Sequence, residues 1–325
     1  MEEIKVSVCC ITYNHEKFIR KALEGFISQK TTFPFEVLIH DDASTDNTQS
    51  IIKEYAEKYP EIIKPILQTE NQRSKGISVQ KMYNYSRARG KYIALCEGDD
   101  YWSDSQKLQV QYDAMEENHD CALCVHQTNM IDEHGMPMER WFPGFDLPGG
   151  KITAEKYIHM EIGGEKWLFQ TSSFFVKREV IESFLNYQHD YPCGDLPLVL
   201  LSLQFGDCWY ISRAMSCYRK HSGGILTMNS KSLDASIKYA RKMIAGHIKY
   251  NEYTNGKYRE DFEHVIRSVE MNVLKLTGKY REILNPQYQE ILRKSSIRTK
   301  AMVYLGAIMP KLMYRVYCFC KYRQR

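Results

Sequence analysis

Two pairs of adjacent carboxylates and one isolated aspartate carry most of the chemistry this sequence offers. In "KYIALCEGDDYWSD" the apolar run from Tyr92 to Cys96 has the composition of a buried strand, and it ends in Glu97, Asp99 and Asp100 around Gly98. Like charges this close repel, so the cluster calls for a cation. Neighbouring carboxylates suit a hard divalent ion: Mg2+ and Mn2+ take oxygen ligands from one or two carboxylates and complete their shell with water and phosphate. Asp99 and Asp100 are the candidate ligands. The plainer alternative is a solvated acidic turn before the helix at "SDSQKLQVQ", but Ser103 or Asp104 already suffices to cap that helix.

A second pair, Asp41-Asp42 in "FEVLIHDDASTDNT", can either cap a helix or accept hydrogen bonds from a nucleobase edge, with Tyr13 supplying an aromatic face. An aspartyl-phosphate nucleophile needs another aspartate two residues on, and Ala43 and Ser44 stand there instead. Downstream, Asp195 lies between Gly194 and the apolar run Leu196 to Leu203, at an expected helix start. It is either an N-cap or a general base for an attacking hydroxyl. His221, ahead of Ser222-Gly223-Gly224, is a candidate to complete a metal shell or touch a phosphate; a solvated loop histidine is the alternative.

These residues need a scaffold. "IKVSVCCI", "FEVLIH", "IIKPILQ" and "KYIAL" read as strands. Between them "HEKFIRKALEGFISQ", "NTQSIIKEYAEKY" and "SVQKMYNYSRAR" read as helices, the second capped by Ser44 or Thr45. Such alternation predicts a mostly parallel α/β sheet covered on both faces, with ligands in the crevice beyond the strands' carboxyl ends. Thr12-Tyr13-Asn14, Asp41-Asp42 and Glu97 to Asp100 all fall at those ends. After about residue 120, "CALCVHQTNMI" and "QTSSFFVKRE" look like further strands around a turn-rich stretch, and residues 232 to 292 are helical in period.

The bulk numbers are consistent with this. The chain has 325 residues, 43% hydrophobic and 26% charged, and a formal net charge of +4, which gives no whole-chain argument for nucleic acid. The ten cysteines fall mostly in apolar runs and no secretory h-region precedes residue 30, so a cytosolic, reduced protein is expected. The lone Cys121/Cys124 pair reads as two small strand residues. No apolar run reaches the roughly 20 residues that span a bilayer.

Together and in this order, "VSVCCITYNHEKFIRKALEGFISQ", "FEVLIHDDASTDNT", "ARGKYIALCEGDDYW", the "GD" at Asp195 and "YRKHSGG" resemble the inverting family 2 glycosyltransferases of the GT-A fold that build bacterial surface polysaccharides. The likeness runs over about residues 3–228. It implies a catalytic domain over 1–228, with a nucleotide half to about 118 and an acceptor half beyond, followed by a helical extension over 229–325. It implies a nucleotide-diphosphate sugar donor, UDP favoured, held by Thr12, Tyr13, Asn14, Asp41, Asp42, Ser44 and Asp99. A Mg2+ or Mn2+ ion would sit on Asp99, Asp100 and His221, with Asp195 as base. Two departures stand out: Ile11 replaces a frequent proline, and Glu97 opens the acidic cluster where many members have aspartate, which leaves the second metal ligand open. No QxxRW motif is present, against a processive synthase. A sugar-nucleotide nucleotidyltransferase would need a Gly-rich basic loop where "TYNHEKF" stands, and a non-catalytic binding module would not need Asp195.

After Glu290 no acidic residue occurs, while Arg293, Lys294, Arg298, Lys300, Lys311, Arg315, Lys321, Arg323 and Arg325 follow among Met, Leu, Val, Tyr and Phe. This tail is expected to lie in a membrane interface, interrupted near Pro310, beside a glycan or polyprenyl-linked acceptor on the inner face of the plasma membrane; a terminal helix packed on the domain is the alternative.

Overall fold

The computed structural model describes residues 3–224 and 232–322. The domain boundary expected at 228 and the tail residues Arg323 and Arg325 lie outside the described residues. The chain divides into two units. The first holds Met1–Tyr157, Trp167–Tyr187 and Leu198–Lys220; the second holds Ile158–Lys166, Gln188–Pro197 and His221–Arg325. Segments 158–166 and 188–197, from the expected acceptor half, thus group with the C-terminal helices.

In the first unit β1 (Val6–Thr12) is hydrophobic on both faces and almost wholly buried, as a central parallel strand must be. It pairs in parallel with β2 (Phe35–Asp41) on one side and β4 (Tyr92–Leu95) on the other, and β3 (Ile63–Leu67) extends the parallel group beyond β2. Between them, α1 (Ile19–Ile27) buries Ile19, Ala22, Leu23 and Phe26, the i, i+3, i+4, i+7 stripe, against Val6, Val8 and Cys10. The three larger side chains, Ile19, Leu23 and Phe26, each stabilise by roughly 1.5–3 kcal/mol on full burial. Helix α2 (Thr48–Lys58) covers the neighbouring region through Ile52 and Tyr55.

The sheet continues through β5 (Tyr101–Trp102), α3 (Lys107–Glu117), β6 (Cys121–Ile131), β7 (Pro137–Phe142), β8 (Gly150–Ile152), α4 (Ala154–Ile158), β9 (Phe175–Lys177), α5 (Arg178–Asn186), α6 (Asp195–Ser202) and β10 (Asp207–Arg219). Its order is β3-β2-β1-β4-β9-β6-β10-β5, with β7 on β6 and β8 on β10. The parallel pattern read from the sequence holds for β3-β2-β1-β4 and recurs at β6–β10; β9, β5, β7 and β8 run antiparallel. Cys121 and Cys124 are buried free thiols in β6.

Three local expectations are corrected. Residues 78–89 form no α-helix but a wide turn, Gln80–Asn84, and a 3₁₀ turn, Tyr85–Arg87. Tertiary bonds override helix propensity there: Asn84 Nδ2 donates to the Cys10 carbonyl, and the Arg87 guanidinium donates to the Lys64 and Ile39 carbonyls. Helix α2 is capped by neither Ser44 nor Thr45; Asp46 accepts from the Thr48 N–H at 3.0 Å. The strand in "QTSSFFVKRE" shrinks to Phe175–Lys177 behind a 3₁₀ turn.

The second unit is helical: α7 (Leu233–Tyr253), α8 (Arg259–Leu276), α9 (Gln289–Lys294), α10 (Ile297–Ile308) and α11 (Pro310–Tyr322). Val303 of α10 is buried with Tyr280, Ile283 and Leu292, while Ile297, Ile308 and Leu312 stay exposed. The break expected at Pro310 falls between α10 and α11.

Candidate active site

The carboxyl ends of β1, β2 and β4 share one edge of the sheet, because Thr12 pairs with Asp41 and Cys9 with Leu95 in parallel register. The ladder runs on past the strands: the Asp42 N–H donates to the Thr12 carbonyl, and the Gly98 N–H to the Ile11 carbonyl, at 3.0 and 2.9 Å. Thr12, the Asp41-Asp42 pair and the Glu97–Asp100 tip therefore meet in one crevice, as the alternating pattern predicts.

The loops after β1 and β2 are stitched together. Asn14, at φ 54°, receives the Thr45 N–H on its side-chain oxygen, and its own N–H donates to Ser44 Oγ, both at 2.8 Å. Ala43 sits at φ 63°, a left-handed conformation that a Cβ disfavours by roughly 1–2 kcal/mol. Asp41 is fully buried and turned toward its own loop, accepting from the Ser44 N–H, the Ser44 hydroxyl and Gln49 Nε2. Asp42 accepts from the Gln72 and Arg73 N–H groups at 2.7 and 3.1 Å. The side chain of Tyr13, between these loops, is 44% exposed.

At the β4 tip the environment differs. Gly98 is required there, since a Cβ would come within 2.7 Å of Thr12 Cβ and 2.6 Å of its hydroxyl. Asp100 is 3% exposed, and its carboxyl is held well above the usual carboxylate range by burial, then by the neighbouring charges of Asp99 and Glu97. Its protein donor is the Arg219 N–H at 2.8 Å; Arg219 also donates from Nε to the Asp99 carbonyl and lies over the Phe18 ring at 4.7 Å. His15 approaches Asp99, Nε2 to Oδ2 at 3.7 Å, while its Nδ1 is 3.1 Å from the Thr12 hydroxyl. An oxygen-rich pocket of crowded carboxylates fits a hard divalent cation, which would supply the positive charge that Asp100 is missing. Arg219 and His15 escaped the sequence reading. Arg219 lies inside "YRKHSGG", whose histidine alone was singled out, and His15 inside "TYNHEKF".

Behind the tip, Lys107 is fully buried. Its Nζ donates to Gln111 Oε1 at 2.6 Å and lies 4.1 Å from the Trp102 ring centre, and burial pushes its pKa down to about 7. Gln111 in turn donates to the Ser173 carbonyl at 2.9 Å.

Asp195 and His221 belong to the second unit. Asp195 begins α6 as expected and accepts from the Leu196 N–H at 2.9 Å. Cys193 is in hydrogen-bonding contact with both Asp195 and Tyr239, and burial pushes its thiol up. His221 follows β10 two residues beyond Arg219.

A mixed sheet with carboxylates at the ends of its parallel strands β1, β2 and β4 defines an α/β protein, and the solved structures it resembles place it in the GT-A fold. It is similar to S. aureus TarS 1-349 in complex with UDP-GlcNAc, at a TM-score of 0.58 and 16% identity over 96% of this chain and 90% of that one. It is also similar to the mannosyltransferase PcManGT of Pyrobaculum calidifontis in complex with GDP-Man and Mn2+, at a TM-score of 0.56 and 15% identity over 97% and 83%. The family profile described as Glycosyl transferase family 2 matches residues 7–184, and the chain belongs to that family. An uncharacterized Mycobacterium tuberculosis protein is 36% identical over 228 residues, covering 68% of this chain; the match spans 60% of that protein's length.

Proposed function

We propose that this protein is a metal-dependent, inverting glycosyltransferase that moves a sugar from a nucleotide-diphosphate donor to a hydroxyl of a glycan or lipid-linked acceptor in surface-polysaccharide synthesis. The observation that carries the reading is the β4 tip: buried Asp100 beside Asp99 and Glu97, at the edge where the Asp42 loop and exposed Tyr13 also lie. Family membership and the nucleotide sugars bound by TarS and PcManGT support the donor class.

In this reading Tyr13 offers its ring to the base, and Thr12, Asn14 and Ser44 shape the loops around the nucleoside. Asp41 and Asp42 hold those loops through the bonds described above. Asp99 and Asp100 would hold Mg2+ or Mn2+, with His221 as a further ligand and His15 oriented by Thr12 toward Asp99. When bound, the ion would supply positive charge for the leaving diphosphate. Asp195 takes the proton of the acceptor hydroxyl; its oxygen bonds to the anomeric carbon from the face opposite the leaving group, and the bond from that carbon to the diphosphate oxygen breaks. Arg219 fixes the tip, its N–H donating to the Asp100 carboxylate and its Nε to the Asp99 carbonyl.

The tail reading rests on the exposed Ile297, Ile308, Leu312 and Val316 beside exposed Arg298, Lys311 and Arg315, with no helix among the described residues long and apolar enough to cross a membrane. This fits a surface lying against anionic headgroups on the cytoplasmic side. Salt-sensitive binding to anionic vesicles is expected, and no binding contradicts it.

The deciding experiment is Asp195→Asn, assayed for sugar transfer and, by thermal shift, for UDP- or GDP-sugar binding with Mn2+. Transfer is expected to vanish with nucleotide binding intact; equal loss of both removes Asp195 as the base.

A further inference from the structure

A second concave site lies wholly within the helical unit. A cavity of about 650 Å³ opens between the segment His189–Tyr191 and one face of α7. Lys238, Arg241, Lys242 and Ala245 line it at helical spacings of three and four, so they share that face. Like charges at such spacing destabilise a helix unless something opposite faces them. Among the described residues none of these three cations has a hydrogen-bond or ion-pair partner. Of the two acids in the cavity, Asp190 faces Lys249 at 3.6 Å, which leaves Asp234 alone against three positive charges.

The wall opposite α7 is fixed in place. Tyr191 donates or accepts at His247 Nδ1 at 3.0 Å, and it lies so close to Gly246 that a Cβ there would be 2.5 Å from its ring. Four residues on, Asp195 contacts Cys193, which contacts Tyr239, the neighbour of Lys238 on α7. The cavity and Asp195 therefore share one tethered frame.

We infer that this cavity is an acceptor subsite for a phosphate group. An acceptor that offers its hydroxyl to Asp195 would seat a phosphate ester carried on the same molecule between Arg241, Lys238 and Lys242. A guanidinium donates two parallel N–H bonds to two phosphate oxygens, and the two ammonium groups add point charge. The excess of positive charge suits a phosphate better than a single carboxylate. The inference rests on the reading of Asp195 as the base, but phosphate binding is measured without any transfer step, so the two fail separately.

The test is calorimetric titration of the full chain with inorganic phosphate at constant ionic strength, with UDP and Mn2+ present in excess to fill the donor pocket. Wild type is compared with Lys238→Gln/Arg241→Gln/Lys242→Gln and with Arg241→Gln alone, all at exposed positions, with circular dichroism to verify folding. The expected result is saturable binding by wild type, weakened at least tenfold in the triple variant and by an intermediate factor in the single one, with UDP binding unchanged. No saturable binding by wild type, or equal binding by all three proteins, overturns the inference. Sedimentation with phosphatidylcholine vesicles, with and without phosphatidic acid, then identifies the source. Capture that needs these three cations marks a lipid phosphate; phosphate binding without such capture marks a soluble phosphorylated acceptor.

Discussion

The two aspartate pairs, Asp41-Asp42 and Asp99-Asp100, look alike in sequence and occupy equivalent strand ends, yet their surroundings differ. The first pair accepts from several donors: Ser44 and Gln49 on Asp41, and the Gln72 and Arg73 N–H groups, from beyond β3, on Asp42. In the second pair Asp100 is pushed toward its neutral form by burial and by the charges of Asp99 and Glu97, with the Arg219 N–H as a donor, and Asp99 lies beside His15. In the proposed function the first pair builds the crevice and the second holds the cation. What separates their surroundings is the set of groups the fold brings to each, which adjacency in the chain does not determine.

Substitutions should separate the pairs, beginning with the largest effect. Asp100→Asn removes a crowded charge but keeps an acceptor for the Arg219 N–H. Donor turnover, followed as nucleotide release, should fall on the order of 10²–10³-fold, while the melting temperature stays the same or rises. A lower melting temperature would mean that Asp100 is structural, like Asp42. Gly98→Ala forces a Cβ onto Thr12, so denaturant unfolding should report a loss of about 1–3 kcal/mol together with lost activity. Asp42→Ala strands the Gln72 and Arg73 N–H groups and should cost about 1–3 kcal/mol; a neutral result would place those donors in water.

A pH-dependent effect concerns Lys107 beneath the tip. Its folded-state pKa of about 7 lies below its ordinary 10.5, so between those values the unfolded chain binds more protons than the folded one. Lys107 therefore makes stability rise with pH across that window, by at most about 1.4 kcal/mol per pH unit, with the destabilisation greatest below pH 7. Lys107→Met should flatten the profile of melting temperature between pH 7 and 10; an unchanged slope would show that Lys107 is charged when folded.

Most of the scaffold was legible in the sequence because β1, β2 and β4 are apolar on both faces and α1 carries a clean stripe. The wide turn at Gln80–Asn84 was not, since it is set by bonds from Asn84 and Arg87 to carbonyls of other strands, which no local period encodes. For the same reason the sequence assigned the cation to Asp99 and Asp100 and left Asp41-Asp42 between a helix cap and a nucleobase contact, but could not show which donors each carboxylate meets. The donors that occupy Asp42 come from thirty residues away, and Arg219, which holds the Asp99 carbonyl and the Asp100 carboxylate, comes from the end of β10. Asp195 was legible as a helix start; its contact with Cys193 and Tyr239 was not.

The central claim is that Asp99 and Asp100 form the cation site and Asp42 does not. Calorimetric titration of Mn2+ into wild type, Asp42→Ala and Asp100→Asn tests it most directly. The account predicts one saturable site in wild type, retained within about threefold in Asp42→Ala and weakened at least tenfold, about 1.4 kcal/mol, in Asp100→Asn. Equal affinity in all three proteins, or a loss in Asp42→Ala as large as that in Asp100→Asn, would contradict it.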